Sequence, residues 1–303
     1  MTPESDRPNL RGLPREWARS SEAEDFWKRV RCAPRSILLL DYDGTLAPFK
    51  KERLEAFPYA GVEDRLVMLE QLPNVRFVLV SGRSARELEK LLDELLRDLP
   101  GKAPRFEIWG SHGQERLRPD GSYDLSPLPA AGLATLNQIR QEITRLGFSD
   151  AVEVKPTSVA IHWRGVEPEM REKLRSAVES LLDFPGPTHP EDGRLELLAF
   201  DGGLEVRSHG RTKGTAIEQI LAEEERGLPV AYLGDDMTDE DAFTALGDRG
   251  ISILVRAEPR ESRAEFWMKP PADLLDFLDE WVASSTAAYT SGSASGNANE
   301  NGR

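Results

Sequence analysis

One cysteine, Cys32, is present in 303 residues, so no disulfide can form within the chain. The four histidines, His112, His162, His189 and His209, do not combine with it at any zinc-ligand spacing. Positive charge is short as well: 39 Lys and Arg face 53 Asp and Glu, a formal net charge of −14 with neutral histidines. Binding to a phosphate backbone relies on clustered cations that release counterions. No dense Lys/Arg stripe relieves the acidic total, so nucleic acid is excluded as a partner. Long apolar runs are also missing. Stretches such as 37–40 and 77–80 fall far below the roughly 20 residues a membrane-crossing helix needs, and no membrane partner is expected. The N-terminus carries Glu4 and Asp6 and lacks a basic-then-apolar signal pattern, so the expected setting is reducing and cytoplasmic.

What is present suits a water-soluble globular protein: 39% hydrophobic and 30% charged residues allow a sizeable core under a polar surface. Residues 36–40, 75–80 and 106–109 read as short buried strands. They are separated by helices at 62–72 and 85–99, the second with Leu88, Leu91, Leu92, Leu95 and Leu96 on one face. After Arg116 the rhythm changes. A turn at Pro119-Asp120-Gly121 leads to a helix at 131–146, two strands around Pro156-Thr157, a helix at 168–182, and strands at 195–200 and 204–207 around Asp201-Gly202-Gly203. From Lys213 the βα alternation returns, with strands at 230–234 and 251–255 and helices to 225, from 239, and at 272–283. The predicted fold is α/β: a doubly wound parallel-sheet core, residues 21–115 and 209–283, interrupted by an α+β cap, residues 116–208. A cleft between core and cap is expected. Residues 1–20 read as a flexible arm and 284–303, rich in Ser, Ala, Gly and Asn, as a disordered tail.

Four motifs fall where strands of such a sheet end. Asp41-Tyr42-Asp43-Gly44-Thr45 follows the first strand, where a carboxylate is held rigidly yet faces the ligand crevice; taken alone, the motif reads first as a turn with a cap. Gly234-Asp235-Asp236-Met237-Thr238-Asp239-Glu240-Asp241 follows another strand, and so many carboxylates together call for a compensating cation. Within that run, Thr238 and Asp241 have capping-box spacing, and Asp239 and Glu240 suit a helix N-terminus, which leaves Asp235 and Asp236 for a metal site. Ser81-Gly82-Arg83 and Lys213-Gly214 would bring a hydroxyl, a guanidinium and an ammonium to the same edge, enough to neutralise a phosphoryl group. Singly, Ser81 reads as an N-cap and Lys213 as a solvated charge.

This order of motifs, over residues 36–282, resembles the phosphatases of the haloacid dehalogenase superfamily. Gly110-Ser111-His112-Gly113-Gln114-Glu115, Glu153-Val154-Lys155, residues 158–164, Leu204-Glu205-Val206-Arg207 and the run 234–243 are similar to trehalose-6-phosphate phosphatases. The resemblance implies Asp41 as nucleophile forming an aspartyl phosphate, and Asp43 as general acid and then base. Ser81, Lys213 and Arg83 would share the phosphoryl charge. It implies Mg²⁺ held by Asp41, Asp235 and the backbone carbonyl of Asp43, with Asp236 supporting the site or orienting Lys213. Glu153, Lys155 and Glu205 would contact the sugar, with His112 as a further loop candidate. By spacing alone, Glu153 and Lys155 are an ordinary charged strand face, and His162, Trp163 and Arg164 are packing and rim.

The resulting expectation is a Mg²⁺-dependent phosphomonoesterase converting trehalose 6-phosphate to trehalose, monomeric, with a trehalose-6-phosphate synthase as its working neighbour. The alternatives are the same chemistry on another sugar or osmolyte phosphate, such as sucrose phosphate or a glucosyl- or mannosyl-glycerate phosphate, a phosphomutase, and a silent sugar-phosphate-binding domain. The complete set Asp41, Asp43, Lys213 and Asp235 opposes the last.

Overall fold

The computed structural model describes residues 12–17, 20–50, 55–96, 105–126, 128–163, 165–182, 195–200 and 202–297. They form two compact units, Met1–Tyr123 with Thr212–Arg303, and Asp124–Arg211.

The first unit is built on a nine-stranded sheet whose central members are almost wholly apolar. β2 (Ser36–Leu40), β3 (Val75–Val80), β11 (Val230–Gly234) and β12 (Ile251–Val255) are buried along nearly their whole lengths, the pattern of parallel strands covered on both faces. Around them lie β1 (Arg15–Glu16), β4 (Glu107–Gly110), β5 (Glu115–Leu117), β6 (Tyr123–Leu125) and β13 (Phe266–Met268). The strand order is β1-β13-β12-β11-β2-β3-β4-β5-β6. From β2 the chain first winds one way, through α2 (Val62–Glu70) to β3 and through α3 (Ala85–Leu95) to β4. It later fills the other side through α6 (Lys213–Ala222), β11, α7 (Asp239–Leu246) and β12. The direction of winding reverses between β2 and β11, which pair in parallel, and their carboxyl ends open the crevice where ligands of such sheets bind.

Three elements differ from the sequence reading. The strand expected at 106–109 continues into the Pro119-Asp120-Gly121 hairpin. Its strand β5 pairs antiparallel with β4 and so extends the large sheet rather than opening the second unit, whose boundary falls after Tyr123. Of the expected flexible arm, residues 1–11 lie outside the described residues. Arg15 and Glu16, however, pair with Phe266 and Trp267. Trp17 packs edge-on against Phe26, Trp27, Phe266 and Phe277, with Phe26 and Trp27 supplied by α1 (Ser21–Cys32). One indole offers more apolar area than the surrounding charges suggest. The expected disordered tail is helical as far as Asn297, in α8 (Ala272–Asn297), and residues 298–303 lie outside the description. Its small residues permit close approach: Ser284 and Ser285 are buried, and Asn74 Nδ2 donates to the Ser285 carbonyl at 2.8 Å.

The second unit is a four-stranded antiparallel sheet of β7 (Val152–Lys155), β8 (Ser158–His162), β10 (Gly203–Ser208) and β9 (Leu195–Phe200), in that order. With it go α4 (Ala130–Arg145) and α5 (Pro168–Leu182). Leu136, Ile139 and Ile143 of α4 and Leu174 and Val178 of α5 join Val159, Ile161 and Val206 in its own core. Since side chains alternate along a strand, Glu153, Lys155, Ser158 and Glu205 fall on the opposite face. Asp201 of the β9–β10 turn and Arg164 lie outside the described residues.

Candidate active site

Asp41 is the first residue after β2, and its N–H donates to the carbonyl of Leu233 in β11, so strand pairing fixes it at the reversal point. Lys213 opens α6, where Thr212 forms a reciprocal capping box with Thr215. The Lys213 Nζ donates to Asp41 Oδ1 at 2.7 Å and to Asp239 Oδ1 at 2.8 Å. Asp235 follows β11. Asp41, Asp235 and Asp239 each offer a carboxylate oxygen within 4.8 Å of the others, and all three are buried.

Two glycines make this packing possible. At Gly44, with φ +87°, an added Cβ would lie 2.1 Å from Asp235 Oδ2; at Gly234 one would lie 2.4 Å from the Asp239 carboxyl carbon. The Asp235 carboxylate therefore rests on the backbone of the Asp41–Thr45 turn, which only glycine permits. Behind it, the Asp235 carbonyl accepts from Arg256 at 3.1 Å and Arg260 at 3.4 Å.

The electrostatics follow from burial. Desolvation pushes the Asp41 carboxyl up to about 7, against the pull of Lys213 and with the help of the Asp239 charge. Burial likewise drives Asp235 well above the usual carboxylate range, reinforced by Asp41 and Asp239. For Lys213, burial works to lower the ammonium's value, but Asp239 and Asp41 outweigh it and hold the group above its ordinary value, fully charged. Asp235 Oδ1 is buried without a hydrogen-bond partner among the described residues. A buried carboxylate oxygen left bare, in a set of oxygen donors with excess negative charge, fits a hard divalent cation, and Asp41 and Asp235 are the residues that could hold it.

The remaining expected residues of this unit divide by their bonds. Ser81 Oγ accepts from the Arg83 N–H; the N-cap of α3 is Ser84. Arg83 is buried and donates twice to Asp43, at 2.7 Å and 2.6 Å, and once to Glu87 at 2.9 Å. Its guanidinium thus grips the proton-transfer candidate as a planar fork. His112 lies in a run of left-handed residues, Ser111 at φ +47°, His112 at +56° and Gly113 at +94°. The His112 N–H donates to the Ser81 carbonyl, and its ring lies over Gly82, where a Cβ would sit 2.8 Å from the imidazole. Strain of this kind persists only where surroundings over-determine it. Glu115 provides that anchoring, accepting from Ser111, from Tyr123 at 2.9 Å and from the Ala85 N–H at 3.2 Å.

In the second unit Lys155 Nζ and Ser158 Oγ both donate to Glu205 Oε1, at 2.8 Å and 2.6 Å, and Lys155 lies 3.8 Å from Glu153. Glu153 Oε2 meets His162 Nε2 at 2.9 Å. The expected sugar contacts Glu153, Lys155 and Glu205 form one connected polar cluster, with Ser158 and His162 as members that spacing did not single out.

The trehalose-phosphatase family model matches residues 39–270, a span that includes the whole second unit, most of the first, and every site residue described above. The chain belongs to the trehalose-phosphatase family. It is 31% identical over 253 residues to a trehalose-phosphate phosphatase of Mycobacterium ulcerans, covering 80% of this chain and 60% of that one. The chain thus spans about three fifths of the length of the first curated relatives it matches. Two solved structures share the fold. One is a trehalose-6-phosphate phosphatase of Aspergillus fumigatus, with TM-score 0.61, 23% identity, and 86% and 97% of the two chains covered. The other is the C-terminal domain of a C. albicans trehalose-6-phosphate phosphatase, with TM-score 0.67, 19% identity, and 91% and 99% covered.

In this trehalose-phosphatase-family chain the geometry redistributes the acidic run after β11. Thr238 makes no side-chain cap bond to α7, so the expected capping box is absent. Asp239, read from its spacing as a helix-end charge, joins Asp41 and Asp235, while Asp236 stays outside that cluster and its Oδ1 accepts the Met237 N–H at 2.6 Å. Asp239, not Asp236, orients Lys213. The available signal was the pair Gly234 and Asp239: a glycine that ends a buried strand makes room for a carboxylate folding back. Glu240, also read as helix-end charge, instead ties the loop after β12 by accepting from Arg260, Ser262 and the Arg263 N–H.

Proposed function

We propose that the chain is a Mg²⁺-dependent phosphomonoesterase that hydrolyses trehalose 6-phosphate to trehalose and phosphate. The observation that carries this reading is a buried ammonium held between two aspartates beside a carboxylate oxygen without a partner, at the reversal point of a parallel sheet. Asp41 attacks phosphorus: an Asp41 oxygen–phosphorus bond forms as the bond to the sugar oxygen breaks, and water then displaces the aspartate. Lys213 neutralises charge on the transferring phosphoryl group, and the Ser81 loop borders it. Asp43 gives a proton to the departing sugar oxygen and takes one from the attacking water, and Arg83 orients its carboxylate. Asp41, Asp235 and the Asp43 carbonyl would hold the cation, which would offset the charge of the carboxylates and the phosphoryl oxygens. Glu153, Lys155 and Glu205 take the sugar hydroxyls, a role their shared polar cluster supports.

An exposed free Cys32 suits a reducing cytoplasm, and the reading keeps a monomer working beside a trehalose-6-phosphate synthase. No helix among the described residues is long and apolar enough to cross a membrane. The test is phosphate release from trehalose 6-phosphate, sucrose 6-phosphate, glucose 6-phosphate and glucosylglycerate phosphate, with and without Mg²⁺. The expected result is Mg²⁺-dependent turnover of the trehalose ester above the others, lost in Asp41→Asn. Equal turnover of glucose 6-phosphate, or turnover that survives chelation, overturns it.

A further inference from the structure

Tyr232 is the middle residue of β11 and its side chain is fully buried. Its ring sits in the apolar layer with Ile37, Leu39, Ala216, Ile217 and Phe243, and meets the Phe243 ring edge-on at 5.7 Å. A phenol placed there costs desolvation that a phenylalanine would avoid, so the hydroxyl must have a partner to be tolerated. That partner is Asp239 Oδ1, the same oxygen that accepts from Lys213 at 2.8 Å. The other oxygen, Asp239 Oδ2, accepts from the backbone N–H groups of Asp235 and Asp236, at 3.1 Å and 2.9 Å. Asp239 is therefore saturated by four donors. Burial, together with the charges of Asp239 and Asp41, raises the Tyr232 phenol far above its ordinary value, so it remains a donor.

Two donors on one carboxylate oxygen compete for its electron density. With the hydroxyl in place, Asp239 holds the Lys213 ammonium less tightly than it would alone, and the ammonium stays shared with Asp41 2.7 Å away. We propose that Tyr232 is a positioning residue for phosphoryl transfer, setting through Asp239 how Lys213 is divided between Asp239 and the nucleophile Asp41. The role in phosphoryl transfer rests on the proposed function; the division of Lys213 between Asp239 and Asp41 rests on the geometry alone.

The test uses the full chain carrying Tyr232→Phe, which removes one oxygen and keeps the packed ring. With trehalose 6-phosphate, kcat is expected to fall about tenfold with KM within about twofold, the size expected for one hydrogen bond to a charged group felt in the transition state. Combined with Asp239→Asn, the loss is expected to be less than multiplicative, because the hydroxyl acts through that carboxylate. An unchanged kcat in Tyr232→Phe, or losses that multiply, overturns the inference. A crystal structure of Tyr232→Phe gives a readout independent of turnover: Lys213 Nζ is expected to move toward Asp239 and away from Asp41 Oδ1. An Nζ that stays shared as before overturns the proposal. If the unsubstituted chain releases no phosphate from any ester, the proposed function falls, and the position of Nζ in that crystal structure decides this inference alone.

Discussion

Gly44→Ala isolates the seat of the Asp235 carboxylate. The new methyl would meet Asp235 Oδ2 at 2.1 Å, about 1.3 Å inside the 3.4 Å at which ordinary contact begins. Because the Asp235 backbone is anchored by the Asp239 carboxylate and by Arg256 and Arg260, the displacement falls on its side chain. A magnesium site tolerates errors of only about 0.2 Å in ligand distance, so if Asp235 is a ligand as proposed, such a shift would remove it. Mg²⁺ affinity measured by calorimetry is expected to fall by about a hundredfold or more, and phosphate release with it. The substitution also places alanine at φ +87°, which costs about 1 kcal/mol of backbone strain by itself. Gly227→Ala is the control, at φ +92° with nothing within 4 Å of the added methyl: it carries the strain without the clash. Gly227→Ala should lower the melting temperature by about 2 °C and leave Mg²⁺ binding intact. If Gly44→Ala binds Mg²⁺ as tightly as Gly227→Ala, the carboxylate is not a ligand that the turn positions, and the reasoning fails.

Three further outcomes follow from contacts already described. Arg83→Lys cannot reproduce the two parallel bonds to Asp43, so kcat should drop by about tenfold or more; wild-type kinetics would refute the positioning role. Arg76 donates to Glu107 through Nε and Nη2, at 3.0 Å and 2.8 Å, and also to Glu223 and Glu224 at 2.8 Å. Although burial works the other way, the arginines hold Glu107 below the usual carboxylate range. Its contribution to stability is therefore present above the unfolded-state value near 4.3 and lost as pH falls through the depressed folded value. Arg76→Met should cost about 3–5 kcal/mol in urea unfolding at neutral pH and shrink at strongly acidic pH; a cost independent of pH contradicts the pairing. Truncation after Ala283 removes the Ser285 carbonyl that satisfies Asn74, so a melting-temperature loss of several degrees is expected, where a disordered tail would give none.

The core strands were legible because burial on both faces leaves an apolar run that little else produces: 36–40, 75–80, 230–234 and 251–255 match the strands residue for residue. The placement of Asp41 and Lys213 was legible from the motifs' positions at the ends of strands, and the two side chains do meet, at 2.7 Å. Asp239 was not, because a carboxylate in the first turn of a helix reads identically whether it faces solvent or folds back under a strand. Arg256 and Arg260 gave no local signal at all; their role is a tertiary contact to a carbonyl 21 and 25 residues earlier. The helix past Ala283 was hidden by composition: serine and alanine look like linker unless their smallness is what lets a helix lie close to buried Ser36 and Asn74.

The strand order has a consequence for the nascent chain. β2 acquires one partner, β3, within a few dozen residues, but its other partner, β11, is translated only after the whole Asp124–Arg211 unit. That unit has its own apolar centre and local strand pairs, so it can collapse first on the ribosome and bring the flanking segments together as a preformed clasp, sparing much of the loop-closure entropy. Until β11 arrives, one side of β2 remains an open apolar edge, and a chaperone that shields such edges would find its target there.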